Sequence, residues 1–314
     1  MVPFAHASDG GGSIRIPASV CGLVCLKPSR QRLYVNQPVE SPDLSVRLAV
    51  TRSVRDTAQI LNVTENKGAA PIEPVGFVAG PSKRRLKIAF STTSMLGKPA
   101  DQDVRAAIEK TAQLCADLGH EVENVEAPVP QAEFASHFMN VWASMADGVV
   151  QAAWMIGLQQ GRFVSAKDVL EPWTLNLSTF YRENLAKDDQ LMSKSLAGFQ
   201  RLAQDYARYF ETYDVQLTPT LRRPPVLIGA LDTSDSFEQH YEDVLDYVGY
   251  TPQHNAAGIP AITLPLFTSR QGLPIGSMFG AKYGDERTLL ELAYELEEAA
   301  PWADRWPEIS DQNI

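Results

Sequence analysis

The chain is predicted to fold as a layered α/β domain, and three observations carry that prediction. Short β-rich runs alternate with longer segments of helical period, the pattern that places a sheet between helices. Two of those runs are separated by one amphipathic helix, which calls for a parallel pair with a right-handed crossover. With 314 residues, 44% of them hydrophobic and 21% charged, the chain can bury a large core as one big domain or two smaller ones.

In chain order, "GAAPIEPVGFVAGPSK" (Gly68 to Lys83) is Pro-rich and reads as a loop and the best candidate for a domain boundary. "LKIAF" (Leu86 to Phe90) is a buried strand. A helix follows from Asp101 to Leu118, because Val104, Ala107, Ile108, Thr111, Cys115 and Leu118 share one face and Gly119 can end it in the left-handed conformation. "HEVENV" returns as a strand. From Gln131 to Tyr213 the period is almost wholly helical, with breaks near Gly161 and Pro172, and Trp142, Trp154, Trp173 and Phe180 read as core aromatics. "VQLTPT", "IPAITLP" and "PIGSMFGA" read as strands. A last helix starts at Asp285, whose side chain can cap it, and buries Leu289, Leu292, Ala293 and Leu296.

Composition excludes several functions. The 28 basic and 38 acidic residues leave a net charge of −10, which argues against nucleic acid as a partner and for a small uncharged or cationic substrate. Three cysteines do not make a disulfide framework, so a reducing, cytoplasmic compartment is expected. Cys21 and Cys25 lack zinc-knuckle spacing and read as small buried residues; no metal and no cofactor are expected. The longest apolar run, "GVVQAAWMIGL" from Gly148, is short and interrupted by Gln151, so no membrane partner is expected.

The chemistry concentrates near the start, in "HASDGGGSIRIPAS" (His6 to Ser19). Gly10, Gly11 and Gly12 let several backbone N–H groups converge on one small space, which suits a phosphate or the oxyanion of acyl transfer. A phosphate loop would need Gly-Lys-Ser/Thr, and an α/β-hydrolase elbow would need glycine where Arg15 stands. On composition alone, a glycine-rich turn with a solvated Ser13 remains the alternative.

"SDGGGSIRIPASVCGLVCLKPS" resembles the signature of the amidase signature family, in which Asp-x-Gly-Gly-Ser-Ile-Arg-x-Pro leads into Cys-Gly-Leu-x-Gly-Leu-Lys-Pro. The similarity continues through "TRSVRDTAQIL", "DVQLTPT", "NAAGIPAITLPL" and "GLPIGSMFGAKYGDERTLLELAYELE", and so covers essentially the whole chain. The resemblance implies a mixed central β-sheet covered by helices on both faces, and hydrolysis of a small-molecule amide without a cofactor. It makes Ser13 the acyl-enzyme nucleophile and the N–H groups of Gly10, Gly11, Gly12 and Ser13 the oxyanion hole. Asp9 and Arg15 would pin the loop, and Ser8 keeps the hydroxyl that the family usually carries as threonine.

The departures from the family pattern carry expectations of their own. Cys25 replaces the second glycine of the Cys-Gly-Leu-x-Gly-Leu run, and Gln31 stands where glycine is usual, which questions the turn after Lys27. "HASDGGG" and "TPTLRRPPVLIGAL" look like the branch that contains 6-aminohexanoate cyclic-dimer hydrolases. In the family the nucleophile is activated by a serine held in a cis peptide and by a lysine, both further upstream than the residues that precede Ser13 here. The expectation is therefore an N-terminally truncated amidase: residues 1–314 form the C-terminal portion of the domain, without that lysine and serine, and with little activity alone. A non-catalytic remnant that binds an amide or associates with another chain is the alternative, and an amidotransferase subunit belongs to the same family. His6, His120, His137, His240 and His254 all read as structural or exposed, and Lys27 as structural. Two structural expectations follow: the first dozen residues should occupy the middle of the molecule, and an exposed apolar surface should allow a homo-oligomer.

Overall fold

A computed structural model describes residues 2–33, 44–68, 72–159, 165–232 and 236–306. Eight strands are present among them: β1 (Phe4–Asp9), β2 (Val24–Lys27), β3 (Val46–Thr51), β4 (Lys87–Phe90), β5 (Glu121–Asn124), β6 (Val215–Pro219), β7 (Ala261–Thr268) and β8 (Pro274–Ala281). They form one sheet in the order β1-β3-β2-β7-β8-β6-β4-β5. The β4–β5 and β4–β6 pairs are parallel and the others antiparallel, so the sheet is mixed, as expected.

The predicted crossover is present. Between β4 and β5 runs α3 (Gln102–Asp117), whose Asp101 cap accepts the N–H of Asp103 and whose buried stripe is Val104, Ala107, Ile108, Thr111, Ala112 and Cys115. Gly119 ends that turn with φ of +93°. The last helix, α10 (Glu286–Ala299), is capped by Asp285 through the N–H of Thr288 and buries Leu289, Leu292, Ala293 and Leu296. It packs on β7, β8 and α2 (Val54–Thr64), while α1 (Arg15–Cys21) lies against β2, β7 and β8. The main core gathers Leu26, Ile262, Leu264, Phe279, Leu289 and Leu296, all fully buried. The sheet is thus flanked by helices, as an α/β fold requires.

A second helical group packs beside the loop that carries Ser13, with Phe138 and Thr251 against its glycines. It comprises α4 (Gln131–Gln159), α5 (Ala166–Val169), α6 (Pro172–Phe180), α7 (Leu191–Thr212), α8 (Phe237–Val248) and α9 (Pro252–Ala257). Pro172 opens α6 at the first turn, where its missing N–H costs nothing; the break expected near Gly161 lies outside the described residues. Phe134, Phe138, Phe199, Leu202, Tyr206 and Leu245 form this group's own core. Trp142 and Trp173 meet edge-on at 5.7 Å and Phe180 packs on Phe237 at 5.3 Å, in keeping with their reading as packed aromatics. The Pro-rich stretch has no regular secondary structure over its described residues. No helix among the described residues is long and apolar enough to cross a membrane.

Two expectations need correction. The first dozen residues do not occupy the middle: β1 is an edge strand paired only to β3 among the described residues, and Val2 and Phe4 are 71% and 52% exposed. Only at Asp9 does the chain turn inward, because that carboxylate has a buried cationic partner. Cys21 is exposed at the end of α1, whereas Cys25 is buried in β2; all three cysteines are free. Exposed apolar side chains include Val2 and Phe4 on the edge and Met145, Val149 and Met155 along α4.

The turn questioned at Gln31 forms all the same. Arg32 N–H donates to Ser29 O at 3.1 Å, and Gln31 between them has φ of +66°, the one positive value at a non-glycine among the described residues. A side chain in that region costs about 1–2 kcal/mol, less the extra backbone freedom that glycine gives the unfolded chain. Gln31→Gly is therefore expected to stabilise the protein by about 0.5–1 kcal/mol. Urea unfolding checks this, and a lower midpoint for the glycine variant would refute it.

Candidate active site

The loop of residues 10–14 joins β1 to α1, and its two ends are tied together. Asp9 Oδ2 accepts the N–H groups of Ile14 (3.3 Å) and Arg15 (3.4 Å), which substitutes for the capping side chain that Ile14 lacks. The Arg15 guanidinium returns two bonds to the same carboxylate, Nε to Oδ2 and Nη2 to Oδ1, each at 2.9 Å. Both side chains are fully buried. From α9, Asn255 Nδ2 lies 2.7 Å from Asp9 O and 2.9 Å from Asp9 Oδ1, and its Oδ1 accepts Arg15 Nη2 at 2.5 Å. Gly12 O takes the N–H of Ile16. The N–H groups of Gly10, Gly11, Gly12 and Ser13 enter none of these bonds.

Charge in this layer is concentrated and buried. Burial pushes the Asp9 carboxyl up, but the charge and hydrogen bonds of Arg15 more than reverse this and hold it well below the usual carboxylate range. Lys27, fully buried on β2, donates to Pro28 O at 2.9 Å. Burial, and then the like charge of Arg15, bring its pKa down to about 7. His254 lies 3.4 Å from Arg15 Nη1 through Nδ1, and burial with the Arg15 charge keeps it neutral, well below the ordinary histidine value.

Close approach explains the glycines. A Cβ on Gly12 would collide with Thr251 Oγ1 and stand 2.6 Å from Ile16 Cδ1, and its φ of +141° disfavours any side chain. A Cβ on Gly11 would lie 2.9 Å from Phe138 Cζ. Ser13 is exposed, and with Gly10 and Gly11 it lines a cleft of about 210 Å³. The remaining walls are Ile16, Leu44 and Pro252, with Phe138, Trp142 and Met145 from α4 and Val244, Leu245 and Val248 from α8. No charged side chain is among them. Trp142, read from sequence as core, is a cleft wall as well.

The structure brings Ser13, the three glycines, Asp9 and Arg15 together. Ser8 sits on β1 opposite Arg47, exposed, and is not a cleft residue. Ser13 Oγ has no hydrogen-bond partner among the described residues. His6 is exposed on β1, His120 bonds Leu86 N and Glu295, His137 bonds Glu133, and His240 packs edge-on against Trp173. Sequence reasoning assigned no role to Thr251, Asn255 or the buried His254, which lie some 240 positions from the loop they support; the run "NAAGIP" held the only signal, and it gave Asn255 no task.

The family model described as Amidase matches residues 1–290. A putative amidase, AmiC, of Mycobacterium leprae is 39% identical over 310 residues, which covers 96% of this chain and 63% of the relative. A 6-aminohexanoate-cyclic-dimer hydrolase of Paenarthrobacter ureafaciens is 31% identical over 331 residues, covering 98% and 65%. The solved structure of a 6-aminohexanoate cyclic dimer hydrolase complexed with substrate superposes with a TM-score of 0.82 at 27% identity, covering 98% of this chain and 66% of that one. The chain spans just under two thirds of the length of these relatives. With its mixed sheet, its glycine loop and a family match over nearly its full length, the chain belongs to the amidase family, the amidase-signature hydrolases.

Proposed function

We propose that this chain hydrolyses carboxamide C–N bonds through an acyl intermediate on Ser13. Ser13 Oγ attacks the amide carbonyl, and the N–H groups of Gly10, Gly11, Gly12 and Ser13 receive the charge that develops on its oxygen. The amine departs with a proton, and water then attacks the Ser13 ester to release the acid. The observation that carries the proposal is an exposed serine hydroxyl on a buried-ion-pair loop that faces an uncharged cleft. Walls of Phe, Trp, Met, Val and Leu favour an uncharged, mainly aliphatic acyl group there, and the relative named for a cyclic dimer makes cyclic amides one class to test.

The serine proton needs an acceptor, a task that the family resemblance gives to a serine and a lysine ahead of the glycine loop. With no partner on Ser13 Oγ among the described residues, amide turnover by these 314 residues alone is proposed to be slow. In a serine protease, loss of one key triad member costs about 10⁶ in kcat and leaves about 10³–10⁴ over water. An activated ester reduces the difficulty, because its leaving group departs as an unprotonated phenolate, so that the serine proton is not needed there and passes to solvent water or hydroxide. Incubation with p-nitrophenyl hexanoate is expected to add one hexanoyl group to the Ser13 peptide, read by mass spectrometry, and Ser13→Ala is expected to abolish it. An adduct that survives Ser13→Ala overturns the mechanism, and rapid amide turnover by this chain overturns the slow-turnover proposal. The free hydroxyl also favours a second reading, a module that binds amides without cleaving them; saturable amide binding with no adduct would select it.

A further inference from the structure

The helix beneath the glycine loop starts without its own cap. Thr251 holds the N-cap position of α9, where a threonine hydroxyl ordinarily accepts a backbone N–H of the first turn. It makes no such bond here. Its Oγ1 donates instead to the carbonyl of Gly11 at 2.6 Å, and the same hydroxyl fills the space that a Gly12 Cβ would occupy. Thr251 is fully buried. One turn further on, Asn255 holds Asp9, so α9 grips the loop at its middle and at its start. A hydroxyl diverted from a helix that lacks another cap has a task elsewhere.

We infer that Thr251 is a positioning residue for the oxyanion hole, an inference that rests on the acyl-Ser13 reading. A trans peptide is planar, with its C=O and N–H pointing in opposite directions. Holding Gly11 O down on Thr251 turns the N–H of Gly12 to the other side of the loop, the side on which Gly11 and Ser13 line the cleft. Both residues of that peptide are glycines, so little else resists its rotation. A flipped plane would present the carbonyl oxygen, a partial negative charge, to the oxyanion. Thr251 therefore acts on the transition state and leaves ground-state binding to the apolar walls.

The test uses the whole chain and p-nitrophenyl hexanoate, following single-turnover acylation. Deleting one oxyanion donor outright costs about 10²–10³ in rate, and Thr251→Val leaves the donor present but unpinned. The maximal acylation rate is therefore expected to fall about 10- to 100-fold, with the half-saturating ester concentration within about twofold of wild type. Thr251→Ser, which keeps the hydroxyl, should restore most of the rate. Affinity for a trifluoromethyl ketone, which mimics the tetrahedral state, should fall in parallel, while affinity for the unreactive hexyl methyl ether stays constant. If valine prevents folding, Thr251→Ala against Thr251→Ser carries the comparison. Acylation that is independent of Ser13 would remove the underlying mechanism. Ser13-dependent acylation that Thr251→Val leaves unchanged, or a loss that Thr251→Ser does not restore, overturns the positioning role alone.

Discussion

Replacing Arg15 by methionine is expected to destabilise the protein by about 3–5 kcal/mol at pH 7, the cost of leaving one partner of a buried ion pair alone. Asp9 would keep Asn255 and the two N–H groups of Ile14 and Arg15 but lose both guanidinium bonds. The pH dependence identifies the cause. In the wild type the folded pKa of Asp9 is depressed, so its contribution is present above the unfolded value of about 4 and is lost as pH falls towards the folded one. Without Arg15, burial, the largest influence on that carboxyl, is opposed only by the Lys27 charge and the remaining hydrogen bonds and is expected to raise that pKa, so the folded variant retains a proton that the unfolded chain releases. Its stability then drops as pH rises above about 4. The gap between the proteins should thus be smallest in acid and widen towards neutrality. Asp9→Leu combined with Arg15→Met should recover much of the loss, since removing both partners together leaves neither of them buried without the other. Urea unfolding from pH 4 to 8 measures all three proteins, and a gap that does not vary with pH would exclude an orphaned carboxylate as its cause.

Stability is also expected to rise with pH above neutrality, because of Lys27. Its folded pKa is brought down to about 7, by burial first and the Arg15 charge second. From there to the ordinary lysine value the unfolded chain carries a proton that the folded one does not. Each pH unit in that window therefore adds about 1.4 kcal/mol to stability. The thiols of Cys25 and Cys115, both pushed up to about 12 by burial, work in the opposite sense from pH 9 upward. Folded thiols keep protons there that unfolded thiols lose, so the Lys27 gain should be visible from about pH 7 to 9 and total about 3 kcal/mol. Lys27→Met removes the titrating group, and its stability profile should be flatter than that of wild type by this amount. Parallel profiles for the two proteins would mean that Lys27 stays charged inside the fold.

What could be read from the sequence follows from the range of each interaction. The β4-α3-β5 unit and α10 were legible because their signals are local: an aspartate cap, an apolar stripe at helical spacing, a glycine stop. β1, β2 and β3 were not read as strands. β1 has one exposed edge and little alternation, and β2 is four buried residues long, too short for a period to show. At the site, Asp9, the glycines, Ser13 and Arg15 lie within seven positions, so one motif contains them. Their supports on α9 are brought in only by tertiary folding. Local chemistry gives no warning that a threonine in "GYTPQHN" hydrogen-bonds a glycine near the N-terminus, nor that Lys27 shares an enclosure with Arg15. Burial separates the cysteines as well: Cys21 and Cys25 are neighbours in sequence, but one ends a helix and the other crosses the sheet.

β1 is a zipper with a clasp at one end. Among the described residues its far end holds Phe4 opposite Thr51, where the side chains of Phe4, Ala5 and His6 stand in solvent and each backbone bond can break on its own. Its closed end is Asp9 opposite Val46, fastened by Arg15, Asn255 and the first turn of α1. Fraying that starts at Phe4 proceeds one rung at a time and stops at the clasp, because the next step would strip a buried carboxylate of its partners. Thermal motion at the rim of the sheet is thereby kept from the serine loop, although only three residues separate Asp9 from Ser13.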